Sequence, residues 1–172
     1  MVVRLGDSVQ LQAVLSVPFG QLDMIDWEPD SLLSCDGCPN PVAYPLQTTT
    51  FTVRVESNGC SDSDKATIYV KKDRPLYVPN AFSPNGDGIN DVFRIYAGPQ
   101  VTKVKSFLIF DRWGEIVPQY YNFEPNDPSG IGGWDGYYRG KLFDTAVFTW
   151  FAEVEFVDGG VELFEGDVTL VR

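Results

Sequence analysis

Apolar residues recur at every second position along much of this chain, and no segment carries a convincing 3.6-residue period. In "SVQLQAVLSV", Val9, Leu11, Ala13, Leu15 and Val17 share one face, with mostly polar residues between them. "FTVRVE" sets Phe51, Val53 and Val55 against Thr52, Arg54 and Glu56, and "ATIYVK" aligns Ala66, Ile68 and Val70. Successive side chains of a strand point to opposite faces, so this pattern builds half-buried strands rather than helices. Ser57 to Gly59 between the last two runs is a hairpin signal, since Asn-Gly tolerates the positive φ angles of a two-residue turn. Trp27 lies in the short strand "MIDWEP". A tryptophan on the third strand with hairpins after it resembles an immunoglobulin-like sandwich, although the usual inter-sheet cysteine pair is missing.

"KKDRP" is charged, ends in proline and follows a finished strand, which predicts a domain at 1–72, a linker at 73–75 and a second domain at 76–172. In the second segment, strands are expected at Leu76–Phe82, Val92–Tyr96, Val101–Asp111, Glu115–Val117, Val147–Phe156 and Val161–Val171. Residues 122–140 are rich in Pro, Gly, Asn and Asp and predict a long ordered loop. The expected fold class is all-β, with two tandem immunoglobulin-like antiparallel β-sandwiches. The N-terminal "MVVRLGDSVQ" has no signal-peptide core and reads like the first strand of a domain cut from something larger. No apolar run approaches the length of a transmembrane helix, so no direct membrane insertion is expected.

The net charge of −11 argues against nucleic acid and anionic lipid surfaces, both of which want Lys and Arg. With no histidine, the chain by itself makes no Ser-His-Asp or Cys-His nucleophile pair and no His-ligated metal site. Among 24 acidic residues some carboxylates will always lie near each other, and nothing singles out a pair for glycosidase chemistry. Each domain is also small for a catalytic cleft plus a core, so no enzyme is expected. Cys35 and Cys38 form C-x-x-C without the further ligands a zinc site needs or the βαβ setting of a thioredoxin motif. A short structural disulfide in an oxidising compartment is expected there. Cys60, beside the Asn58-Gly59 turn, is expected to be unpaired; the alternative is a bond from Cys60 to either of the other two.

Three stretches carry candidate chemistry. "SPNGDGIND" overlays the start of a calcium-loop template, with Ser83, Asn85, Asp87, the Ile89 carbonyl and Asp91 at alternating ligand positions. Arg94 occupies the place of the closing Glu and no helix flanks the loop, so a full EF-hand is not expected. A Ca²⁺ loop completed by a distant carboxylate such as Asp111 is one reading. A loop held by its own Asx-turns is the other. In "FDRWGE", Asp111 and Arg112 could pair with each other or face a partner, and Trp113 is expected to pack in the core or at its rim. "GGWDGYYRG" gathers Trp134, Tyr137 and Tyr138 among glycines, either as a sugar-stacking face or as aromatics pinning the long loop to the sandwich.

Taken in order, "YVPNAFSPNGDGINDVFRI", "F-IFDRWGE", "WDG" and the terminal "G-VTLVR" resemble the type B C-terminal sorting domain of the type IX secretion system, also called the gliding-motility-associated C-terminal domain of Bacteroidota. The similarity runs from about Leu76 to Arg172. The first segment resembles the PKD-like or immunoglobulin-like repeats that precede this domain in large surface adhesins. The resemblance implies an address rather than a catalyst: a folded unit recognised in the periplasm, carried through the outer-membrane translocon and attached at the cell surface through a barrel of the PorP/SprF family. It implies partner contacts at Asp111, Arg112, Trp113, Trp134, Asp135 and the terminal Val168, Thr169, Leu170, Val171 and Arg172. A terminal strand with an open edge could also pair with a partner's strand. The alternative function is a carbohydrate- or protein-binding adhesive module, with the Trp134–Tyr138 cluster or the first domain holding the ligand.

Overall fold

A computed structural model describes all 172 residues and is nearly all β, with no closed barrel. The chain divides into two compact units, Met1–Arg74 and Pro75–Arg172.

The first unit contains β1 (Val2–Arg4), β2 (Val9–Gln10), β3 (Met24–Glu28), β4 (Val42–Ala43), β5 (Thr49–Ser57) and β6 (Cys60–Lys71). Its main sheet has the order β1-β6-β5-β3, with β1 parallel to β6 and the other neighbours antiparallel. The β2–β4 pair forms the second layer, extended where the amides of Leu11 and Ala13 donate to the carbonyls of Pro41 and Pro39. Leu11, Trp27, Ala43, Phe51 and Ile68 are buried between the layers, as the two-residue period requires. The β5–β6 turn places Asn58 and Gly59 at φ 51° and 75°, the left-handed conformation that Asn-Gly supplies at least cost. Cys35 and Cys38 are joined in a disulfide, and Cys60 is free and exposed. The Trp27 indole donates to the Cys38 carbonyl at 2.9 Å, tying that short loop to the core.

The second unit contains β7 (Leu76–Tyr77), β8 (Ala81–Phe82), β9 (Tyr96–Ala97), β10 (Val101–Phe110), β11 (Ile116–Phe123), β12 (Tyr137–Tyr138), β13 (Lys141–Leu142), β14 (Ala146–Phe156) and β15 (Val161–Leu170). Its main sheet runs β11-β10-β14-β15-β8, with β8 parallel to the end of β15. The opposing layer is made of the short pairs β7–β9 and β12–β13 and a bridge between Phe93 and Trp134. Phe93, Val104, Phe107, Ile109, Phe148 and Ala152 are among the residues buried beneath them.

Three strand expectations need correction here. Leu76–Phe82 is not one strand: Pro79 lacks an amide hydrogen, and the chain leaves the β7–β9 pair before it to join the main sheet as β8. Val92–Tyr96 shrinks to the Phe93 bridge and the start of β9. The strand expected at Glu115–Val117 instead continues to Phe123. Pro118 had hidden it, but β11 is an edge strand whose register shifts beside that proline, where a missing donor is tolerated.

Candidate functional site

The turn between β10 and β11 is built around one carboxylate. Asp111 Oδ1 accepts the amides of Trp113 and Glu115, both at 2.9 Å, and its backbone amide and carbonyl pair with the Glu115 carbonyl and the Gly114 amide. Gly114, at φ 82°, closes the turn in a conformation that side chains disfavour. Trp113 is thereby set at the apex, 75% exposed, and the Arg112 guanidinium lies 4.4 Å from its ring centroid. This corrects the expectation of core or rim packing. The turn chemistry of Asp-Arg-Trp-Gly was the available signal: it puts the indole at the turn's tip, beyond the end of the strand face that feeds the core.

An open groove separates this turn from the β12–β13 hairpin and is lined in part by Trp113, Ile116, Tyr138, Arg139 and Lys141. The Arg139 guanidinium sits 5.0 Å from the Tyr138 ring centroid and the Lys141 ammonium 5.8 Å from that of Phe143. Cation–π contact of this kind fixes flexible cationic side chains against aromatic faces. The sequence reading missed Arg139 and Lys141, whose place beside Trp113 depends on how the 122–140 loop returns to the sheet.

Trp134 has the opposite environment. It is 1% exposed and contacts Phe148, Phe82 and Phe143 with centroid distances of 4.7, 5.2 and 5.9 Å. Its indole donates to the Tyr137 carbonyl at 3.0 Å, and its backbone exchanges hydrogen bonds with Phe93. Trp134 therefore pins the long loop and offers no face to a partner or a sugar. Asp135 is exposed, and its Oδ1 accepts the Tyr137 amide at 3.0 Å. Burial, with the Asp135 charge second, pushes the Tyr120 hydroxyl up to about 12; that hydroxyl donates to the Gly133 carbonyl at 2.8 Å.

The terminal contact set also divides. Val168 and Leu170 are fully buried, because alternation turns them into the core, so they are removed as contact residues. Thr169 is half-buried, and Val171 and Arg172 are exposed. The edge at this end is already covered: the Thr169 and Val171 amides donate to the carbonyls of Asn80 and Phe82.

The glycine-rich loop spends its oxygens on its own backbone. Both oxygens of Asp91 accept amides at 2.7 Å, from Gly86 and Gly88. Those two bonds hold the Asp91 carboxyl below its ordinary range. Asn85 Oδ1 accepts the Asp87 amide, Asp87 Oδ1 accepts the Ile89 amide, and the Asn85 side-chain amide donates to Asp87 Oδ2. The loop closes through a bond from the Ser83 amide to the Asn90 carbonyl. No group of three acidic or cysteine side chains converges anywhere, and Asp111 is committed to its own turn. The hydrogen bonds present are those of the Asx-turn reading, with each of these oxygens accepting an amide of the loop itself.

The type IX secretion signal domain family CHU_C matches residues 76–168. Among solved structures, the chain is similar to Sidekick-1 immunoglobulin domains 1–5 at 8% identity and TM-score 0.46, covering 99% of this chain and 37% of that one. It is similar to dimeric latent PorU from Porphyromonas gingivalis at 13% identity and TM-score 0.34, covering 89% of this chain and 16% of that one. The N-terminal four immunoglobulin domains of Dscam1 align at 11% identity and TM-score 0.38, covering 99% of this chain and 48% of that one. No curated protein matches the chain by sequence. The match covers most of the second unit and more than half of the chain, and the chain belongs to the CHU_C type IX secretion signal domain family.

Proposed function

We propose that the Pro75–Arg172 unit is read as a folded shape by the type IX outer-membrane translocon, and that a PorP/SprF-family barrel then holds the cargo at the cell surface. Family membership implies export to the outer membrane or surface and contact with the secretion machinery. The finer reading rests on the turn at Asp111–Glu115. A preorganised, exposed Trp113 stacked with Arg112 is the kind of anchor that dominates binding energy, since its geometry is fixed before the partner arrives. The first unit serves as a spacer ahead of the signal. Calcium has no part in this reading.

The test fuses a periplasm-exported fluorescent protein ahead of the full chain in a type IX-competent bacterium and measures the surface fraction. Deleting residues 75–172 should reduce it to the level of a strain lacking the translocon. Removing the PorP/SprF barrel should release the fusion into the medium. Surface display without residues 75–172, or periplasmic retention of the full fusion, would overturn the reading. Trimming only the last seven residues is a poor control, because it removes the buried Val168 and Leu170 and with them the fold.

A further inference from the structure

The outer edge of β15 is paired with another strand only at its C-terminal end. β8 pairs with Thr169 and Leu170, and strand alternation turns the amides of Leu163, Glu165 and Asp167 toward the same side as that of Thr169, past the end of the β8 pairing. Val161–Asp167 is about 23 Å of strand at the usual rise per residue. Two other edges are blunted. On β6 the outward amides of Ser63 and Lys65 are taken by Asp62 and Asp64 side chains at 2.8 and 2.7 Å. On β11 a proline and a register shift interrupt the edge. The β15 edge has neither device. It also contains Gly166, which presents no side chain to shield the backbone, with the Trp150 ring packed where a Cβ would stand.

We propose that Val161–Asp167 accepts an extended segment of a partner as an added strand, a segment in which Lys or Arg alternates with apolar residues. The proposal rests on the secretion-signal reading only for placing that partner in the export machinery. Charge complementarity selects the occupant. Glu153 and Glu155 on β14 are matched by Lys105 and Lys103 at 3.0 and 3.4 Å. Glu165 and Asp167 on the exposed face of β15 have no such cation, and Leu163 beside them is 66% exposed. A second copy pairing edge to edge about a two-fold axis is antiparallel, and centred on Glu165, the middle of the three outward amides, it sets that acid against its own equivalent, which disfavours self-association. Main-chain bonds supply the affinity of such an addition and alternate side chains its specificity.

The probe is a capped seven-residue peptide alternating lysine and valine, added to the full 172-residue chain, with amide exchange followed by NMR. Exchange at Leu163, Glu165 and Asp167 should slow about tenfold or more at saturation, while a glutamate–valine peptide leaves it unchanged. Glu165→Pro removes one outward donor and should abolish the protection. Because a proline can disturb the fold, Glu165→Lys with Asp167→Lys serves as the second variant and should reverse the peptide preference. Unaltered exchange with the lysine peptide, or protection in the free chain through dimerisation at this edge, overturns the proposal. Export of the full chain with no peptide protection rejects the edge alone. Peptide protection in a chain that is not exported rejects the secretion reading alone.

Discussion

Trp113 and Trp134 lie on two connecting segments of one unit, yet one is 75% exposed and the other 1%. The difference comes from what each backbone is tied to. Trp134 exchanges two main-chain hydrogen bonds with Phe93 and is driven among Phe82, Phe143 and Phe148. Trp113 is tied only to its own turn through Asp111, which holds it away from the sheet. Aromatic residues in short motifs can thus be fixed by opposite requirements, one by the fold and the other by whatever the surface must meet.

The largest expected effect separates the two. Trp134→Ala should destabilise the second unit by about 3–5 kcal/mol in denaturant titration, the cost of emptying a packed aromatic site. Loss of export would follow from loss of the fold. Trp113→Ala should change stability by less than about 0.5 kcal/mol, as surface truncations do. A large destabilisation there would erase the contrast.

Asp91→Ala should come next, lowering the melting temperature by freeing the Gly86 and Gly88 amides. Because these bonds depress the folded-state pKa of Asp91, its stabilisation is present above the ordinary value of 3.8 and is lost as pH falls through the lower folded value. The pH dependence of melting below that value should therefore weaken in the variant. Tyr120 should show the converse at high pH. Its value of about 12 stands above the ordinary 10.0, so its contribution is complete below pH 10.0 and is lost as pH rises through 12. An absorbance titration in which Tyr120 ionises at the ordinary value of 10.0 would contradict that burial. The smallest effect is that of calcium: adding it or a chelator should shift melting by less than about 1 °C, since a ligand stabilises only the state that binds it.

Much of this was legible in the sequence. Alternation located β5, β6, β14 and β15 because each carries a run long enough for the two-residue period to show. The middle of the 122–140 loop was legible from its turn residues, although Asn122 and Phe123 belong to β11 and Tyr137 and Tyr138 to β12, and the family was legible from four motifs in order. Other features were not. The break between β7 and β8 depends on which sheet each half joins, a tertiary choice invisible in "LYVPNAF". The length of β11 was masked by Pro118, whose tolerance depends on its lying at an edge. "SPNGDGIND" was ambiguous because carboxylates spaced for a cation are also spaced for backbone amides, and only geometry shows which they meet. The fate of each tryptophan likewise turned on tertiary contacts: composition supplies aromatic residues but does not say which the core will take.

The most direct measurement compares the surface fraction of the full-chain fusion carrying Trp113→Ala with that of the parent in a type IX-competent bacterium, after equal melting temperatures have been verified. If the exposed turn is what the machinery reads, the folded variant should fall about tenfold or more and accumulate in the periplasm, as loss of a central aromatic anchor does to binding. A folded variant displayed as well as the parent would contradict recognition through the Asp111–Glu115 turn.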